Sequence, residues 1–255
     1  MEARHVLAAM ALIGCAAGAR VQACQLSMAM EQWPPYIFSH AQGAPSGLDM
    51  ELAQAILKEA GCSLRLLPEL PTARRQVLFE QGGIDLLLAA SLTPERRRHA
   101  RFSIAYRHES VGLFTRTSLL SQYQHLSSLD LLLKRKLSLL APKVGWYGPA
   151  YARLQPRLAE AGQLSTFISF QQGVRMLDAG RADLIMGDRA ALRHEAREQG
   201  VAITPLPLVV LRAPVHLMLN RRSTTQAELD RINAAIARLE AQGVLTHIRS
   251  RYGEL

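Results

Sequence analysis

Cysteine is scarce: Cys15, Cys24 and Cys62 are the only three in 255 residues. That is too few for a disulfide-dense scaffold. Aromatic residues make up 5% of the chain, and lysine is confined to Lys58, Lys134, Lys136 and Lys143. Low-complexity tracts, heptads and short internal repeats are missing, which excludes coiled coils, solenoids and propellers. Beyond the first residues no apolar run approaches the roughly 20 residues that a membrane span requires. Catalytic signatures are equally thin. His194-Glu195 lacks the second histidine of a zinc-protease helix, and neither a Gly-x-Ser-x-Gly elbow nor a phosphate-cradling P-loop occurs. No metal or cofactor is called for.

What is present is a 49% hydrophobic chain, enough for a sizeable core. The formal net charge is +9, carried mostly by arginine. Those arginines are scattered, with Arg96-Arg97-Arg98 the single triple, rather than gathered into a stripe with interleaved aromatics. The pattern speaks against a nucleic-acid partner.

The first residues read as an export signal. Arg4 precedes the apolar run Val6 to Ala19, and Val21-Gln22-Ala23 predicts a cut before Cys24. The expectation is a soluble protein exported to a bacterial periplasm. Leu12-Ile13-Gly14-Cys15 also resembles a lipobox, which would instead tether the chain through Cys15. After a cut before Cys24 the chain keeps Cys24 and Cys62, an even number in an oxidising compartment. Cys24 opens the first strand and Cys62 follows the first helix just before the next, and neighbouring parallel strands joined by one helix can bring such positions together. A Cys24–Cys62 disulfide is expected; two buried free thiols are the alternative.

Along the chain, Gln25 to Met30 reads as a strand, Gly47 to Ala60 as a helix stopped by Gly61, Leu64 to Leu67 as a strand, Thr72 to Gln81 as a helix, and Ile84 to Ala90 as a strand buried on both faces. The alternation predicts a parallel α/β sheet. It then restarts: Leu137 to Val144, a helix opened by Gly148-Pro149, a strand at Thr166 to Phe170, a helix at Gly173 to Ala179, a strand at Leu184 to Met186 and a helix from Ala190 to Glu198. Two such units predict two lobes. A strand at Val215 to Asn220 and a helix from Gln226 to Gln242 have no lobe of their own, so the chain is expected to return to the first.

The order Trp33-Pro34-Pro35-Tyr36, Gly47-Leu48-Asp49-Met50-Glu51, Gly83-Ile84-Asp85, Thr93-Pro94-Glu95-Arg96 and Phe102-Ser103-Ile104-Ala105-Tyr106 resembles the polar amino-acid family of periplasmic solute-binding proteins. Gly180-Arg181-Ala182-Asp183, then Gly187-Asp188, Ala241-Gln242-Gly243 and Ile248 to Tyr252, continue the likeness. The resemblance implies an α/β, two-lobed, type II clamshell with two crossover strands. Lobe 1 would span 24–114 plus 212–255 and lobe 2 115–211. It further implies a monomer that holds an amino acid or analogue between its lobes and hands it to an ABC-transporter permease.

In that family the arginine of the Thr-x-Glu-Arg motif grips the ligand's α-carboxylate, which nominates Arg96; a planar guanidinium pairs both oxygens at once. Arg97 and Arg98 read as solvated charges. Ser91 and Thr93 offer hydroxyls to the same carboxylate, although each alone fits a strand-end or cap role. The family's aspartate for the ligand ammonium falls on Asp188, at the carboxyl end of a strand where open α/β sheets bind ligands. Capping the helix from Ala190 is its other role. Trp33 and Tyr36 are candidate lids, with a core position the alternative for Tyr36. Gly148 stands before a helix N-terminus that favours an anion, and Trp146 and Tyr147 are set to line the second lobe's side.

Departures from the family pattern fall on the side-chain pocket. Met30 stands where basic-amino-acid binders carry an acid, and alternation would turn Glu31 to the opposite face. Thr72 replaces a common aromatic, and Ala105 a common proline. Two rival functions follow. Cyclohexadienyl dehydratases resemble this family, but such an enzyme needs a general acid in the cleft, and no carboxylate stands out beyond the binding pattern. A sensory ligand-binding domain would be joined to a membrane span or signalling domain, whereas this chain stops at Leu255.

Overall fold

The computed structural model describes residues 24–39 and 44–252, so the expected leader, its lipobox and the last three residues lie outside the described residues. The described residues begin with β1 (Cys24–Ala29), α1 (Leu48–Glu59), β2 (Cys62–Leu67), α2 (Thr72–Gln81) and β3 (Leu86–Ala90). A short 3-10 turn, Arg96–Arg98, leads into β4 (Ala100–Arg116). Two brief helices, α3 (Leu120–Tyr123) and α4 (Asp130–Lys134), precede β5 (Leu139–Pro142), α5 (Gly148–Glu160), β6 (Leu164–Phe167), α6 (Phe170–Asp178), β7 (Leu184–Asp188) and α7 (Arg189–Glu198). β8 (Ile203–Asn220), α8 (Gln226–Ala241) and α9 (Val244–Arg251) are the last elements among the described residues.

The fold is the two-lobed α/β clamshell with two crossover strands. β4 and β8 are 17 and 18 residues long and run antiparallel from Ala100↔Asn220 to Arg116↔Ile203. One end of this ribbon adds β3 against β8; the other adds β7 against β4, followed by β5 and β6, giving the order β3-β8-β4-β7-β5-β6. β1 and β2 form a separate parallel pair. The expected parallel sheet is therefore mixed: β5–β6, β5–β7 and β1–β2 are parallel, while every pairing made by a crossover strand is antiparallel.

Local chemistry places these elements. Ser169 caps α6 by accepting from the Gln172 amide, and Thr225 with Glu228 forms a reciprocal capping box at α8. Asp85 accepts from the amide and hydroxyl of Ser27 at 2.8 and 2.6 Å, and Asp183 accepts from the amide and hydroxyl of Ser138, both at 2.7 Å. The Gly83-Ile84-Asp85 and Gly180-Arg181-Ala182-Asp183 motifs thus tie a strand entrance to the preceding βα unit in the same manner on each side of the molecule. Cys24 and Cys62 head β1 and β2, face each other in register with Cα atoms 4.5 Å apart, and are joined by a disulfide.

Burial divides the interior. One cluster joins α1, α8 and α9 to β1 and β2 through Leu26, Leu52, Ile56, Ile232 and Leu245. A second packs Val111, Leu139, Leu158 and Met186 under α5, and a third packs Leu140, Phe167, Val174, Ile185 and Leu192 under α6 and α7. Among the described residues no helix is long and apolar enough to cross a membrane.

Candidate functional site

A cavity of about 430 Å³ opens between the loop after β3, the aromatic turn after β1, and the segments that follow β5 and β6. It is lined by Trp33, Ser91, Thr93, Arg96, Trp146, Tyr147 and Asp188, so the structure gathers most of the residues singled out above. A larger cavity of about 1200 Å³ lies among α7, α9 and the outer parts of β4 and β8. Its walls contain Asp188 but none of Arg96, Ser91, Thr93 or Trp33, so the smaller cavity is the candidate site.

Arg96 opens the 3-10 turn. Its Nη1 donates to the Ser91 carbonyl at 2.9 Å, and its amide donates to the Thr93 hydroxyl at 3.3 Å. The Thr93 hydroxyl thus accepts from the first residue of the turn while Thr93 lines the cavity. Burial disfavours the Arg96 charge, and nearby Glu109 and Glu95 restore part of it. Arg97 and Arg98 are exposed, as solvated charges should be.

Asp188 ends β7 and does two things at once. Its Oδ1 accepts from the amides of Ala190 and Ala191 at 3.0 and 2.9 Å, capping α7, and from the Tyr36 hydroxyl at 2.9 Å. Its Oδ2 is buried with no hydrogen-bond partner. Burial pushes this carboxyl above the usual range, with the Ala191 amide, the Arg107 guanidinium and the Tyr36 hydroxyl pulling it back. An unpartnered buried carboxylate oxygen calls for a donor.

Two nominated residues sit elsewhere. Tyr36 is 1% exposed and lines the larger cavity instead of the candidate site. Its ring packs on Trp33 with centroids 4.6 Å apart, and the Arg107 guanidinium carbon stands 4.1 Å from its centroid. Tyr36 thus meets Asp188 through its hydroxyl and does not line the candidate cavity. Gly148, with φ +89°, is buried at the start of α5 and does not line the cavity; a side chain there would meet Leu211 at 3.3 Å. The lining in that region comes from Gly145, Trp146 and Tyr147. Burial raises the Tyr147 phenol, with Glu109 and Asp188 adding to the effect, and its hydroxyl donates to the Val144 carbonyl at 3.1 Å.

Three charged residues were missed. Glu31 lines the cavity and pairs with Arg75, another lining residue. The alternation argument fails because β1 ends at Ala29, so the strand period does not reach Glu31. Met30 takes the buried position instead. The third is Glu109 on β4, 7% exposed, whose Oε1 accepts from the Ser91 hydroxyl at 3.1 Å. Burial, with help from Asp188 and Asp49 and against Arg107 and Ser91, pushes its carboxyl up to about 7. A carboxylate outside the binding pattern does stand out, and only the three-dimensional course of β4 brings it into the cleft.

Below the cavity, Asp49 of the Gly47-Leu48-Asp49-Met50-Glu51 motif takes Arg107 bidentately at 2.6 and 2.7 Å, and Tyr106 donates to it at 2.8 Å. Both charged side chains are fully buried. The pair fixes α1 to β4 and occupies the guanidinium nearest Glu109 and Asp188.

Residues 26–254 match the model of the bacterial extracellular solute-binding proteins, family 3. The chain belongs to that family. Cyclohexadienyl dehydratase of Pseudomonas aeruginosa is 26% identical over 141 residues, covering 50% of this chain and 52% of that protein, so the match spans about half the length of this curated relative. Among solved structures, an ancestral arginine-binding protein bound to arginine superposes with a TM-score of 0.72 at 20% identity, covering 89% of this chain and 97% of that one. A histidine kinase sensor domain with similarity to periplasmic binding proteins gives 0.70 at 19% identity, covering 90% and 95%. At such identities these structures establish the fold alone.

Proposed function

We propose that this protein captures an amino acid or closely related zwitterion between two lobes, 24–114 with 212–255 and 115–211, in the bacterial periplasm, as a monomer that delivers its solute to an ABC-transporter permease. The observation that carries the reading is the pairing of opposite handles in one cavity. Arg96 stands on the loop after β3, and the unpartnered Oδ2 of Asp188 stands at the end of β7. A carboxylate on the first and an ammonium on the second would complete both hydrogen-bond sets, with the Thr93 hydroxyl as a further donor, while the Ser91 hydroxyl donates to Glu109. Trp33, Trp146 and Tyr147 supply apolar and aromatic walls. The membership of the chain in a solute-binding family, and the arginine bound by one structural relative, support the same class of solute. A thermal-shift screen against the twenty common L-amino acids tests the reading, since a ligand that binds only the folded state raises the melting temperature. Silence across the whole panel would count against it.

A second reading is favoured by one observation. Glu109 is a buried, readily protonated carboxyl in the cleft, which is what acid-catalysed loss of a hydroxyl requires, and one relative is a dehydratase. Assay with prephenate decides between them: turnover that disappears in Glu109→Gln would establish the enzyme, and binding without turnover the receptor.

A further inference from the structure

We propose that Glu109 is a second carboxylate for the solute's cationic group, acting beside Asp188, and that capture of the solute drives one proton off Glu109 into solvent. The proposal rests on the receptor reading above. It begins with register. Val111 of β4 pairs with Asp188 of β7, and Glu109 lies two residues back along β4, on the same face of the sheet. Diagonal neighbours of this kind have Cα atoms about 7–8 Å apart, close enough for two carboxyl groups to reach one ammonium. Both side chains line the candidate cavity.

Neither carboxyl enters an ion pair among the described residues, although Arg107 attracts both and Arg96 attracts Glu109. Among the described residues Glu109 enters no ion pair, and its hydrogen bond is to the Ser91 hydroxyl. Asp188 keeps one oxygen unpartnered. The charged and titratable groups that face Glu109 can be named element by element. Arg107, on β4 itself, is spent on Asp49 of α1. Asp188 on β7 repels it. Arg96, at the turn before β4, points its Nη1 at the Ser91 carbonyl and is kept for the solute's carboxylate. Tyr147, at the start of α5, is neutral because burial raises its phenol. Ala213, the β8 partner of Glu109 in register, carries no charge.

The free cleft therefore holds two acids that cannot both ionise cheaply, and Glu109 stays largely protonated below about pH 7. A primary ammonium arriving between them supplies the missing counter-charge. The O–H bond of Glu109 then breaks, its electron pair stays on the carboxylate, and the proton leaves to buffer. Such a site prefers solutes with a primary ammonium or another compact cation over their uncharged analogues. It also makes capture pH-dependent: affinity is constant above about pH 8 and falls roughly tenfold per pH unit on the acid side of pH 7, because the proton must first be removed.

Isothermal titration calorimetry of the mature protein tests this with L-arginine, L-lysine, L-ornithine and L-glutamine as probes. The tightest binder is titrated at pH 6.5 in phosphate and in imidazole, whose ionisation enthalpies differ. The wild type should release roughly 0.5–1 proton per solute bound, read as a difference in apparent enthalpy between the buffers. Glu109→Gln keeps the shape and the contact with Ser91; it should release none and lose the acid-side fall in affinity. Glu109→Asp should restore part of the proton release. Equal enthalpies in the two buffers for a probe that binds wild type would overturn the role of Glu109 and leave the receptor reading standing, as would an unchanged pH profile in Glu109→Gln. Failure of all four probes to bind wild type overturns this proposal, while the receptor reading is then decided by the screen of twenty amino acids.

Discussion

At the scale of single residues, the site separates into handles that a motif reveals and groups that only packing brings in. Arg96, Ser91 and Thr93 are legible because the loop that carries them is short and continuous; their chemistry lies within six positions. Truncating Arg96 to Ala leaves a solute carboxylate desolvated and unpaired, at a loss of about 2–5 kcal/mol in affinity. Calorimetry with the best amino acid from the screen should read that loss while far-UV circular dichroism stays unchanged. Tyr36 and Glu109 were not legible in this way. An aromatic beside a proline pair reads equally well as lid or core, and the hydrogen bond from Tyr36 to Asp188 crosses 152 positions. Glu109 has a consequence for stability as well as binding. Its carboxyl is raised from 4.5 to about 7, so ionisation is penalised in the folded state. The penalty is absent below about pH 4.5, grows as pH rises and is complete above pH 7. Removing the charge with Glu109→Gln should therefore stabilise the solute-free protein at pH 8 by about 2–3 kcal/mol and leave it nearly unchanged at pH 4.5, measured by urea denaturation. Equal gains at both pH values would show that repacking, not charge, is responsible.

At the scale of elements, helices and the short lobe strands follow from periodicity, whereas of the two crossover strands only the end of β8 does. Thr72 to Gln81 is helical over the span that spacing predicts, and α1, α7 and α8 fall within a residue or two of theirs. β4 escapes because Arg107, His108 and Glu109 interrupt its apolar pattern; two of these are buried for pairing and for the cleft, not exposed as a charge run suggests. The first part of β8, unlike Val215 to Asn220, escapes because Pro205, Pro207 and Pro214 argue against a strand. They are tolerated because β3 pairs only with positions 216–219, leaving the earlier part of β8 an edge with β4 on one side. The disulfide belongs to this scale too. Cys24 and Cys62 close a loop with a separation of 38 residues across β1, α1 and β2, a constraint on the unfolded chain of about 4 kcal/mol. The Cys24→Ser, Cys62→Ser double variant should lose about 2–4 kcal/mol in denaturant. Intact mass on exported protein, before and after reductant, should differ by two hydrogens. Two alkylatable thiols before reduction would contradict the bond.

At the scale of the whole molecule, the division of the site between lobes decides how it works. Arg96 and Trp33 belong to the part of the chain before the first crossover, Asp188 and Tyr147 to the part after it, and β4 and β8 alone connect the two as strands. Glu109 sits on one of those connections, so a cation bound between it and Asp188 is gripped at the hinge. The Tyr36–Asp188 hydrogen bond and the packing of Ala191 in the first core already tie the start of α7 to the opposite lobe. On the proposed reading, the mouth between the Arg96 turn and Trp146 and Tyr147 narrows around the solute. A solute that meets both handles is stabilised only when the mouth is narrow, which shifts the population toward the closed arrangement. The best amino acid should therefore reduce the radius of gyration in small-angle scattering. Its deaminated analogue, which still offers a carboxylate to Arg96 but no ammonium to Asp188, should bind at least about 100-fold more weakly, a difference near 2.7 kcal/mol. Asp188→Asn should weaken the amino acid by a comparable factor and abolish the change in radius, because the ammonium is then buried against a neutral amide. A radius of gyration that stays constant at saturation in the wild type, with tight binding intact, would mean that the cleft is preformed and that the hinge strands act as a rigid frame.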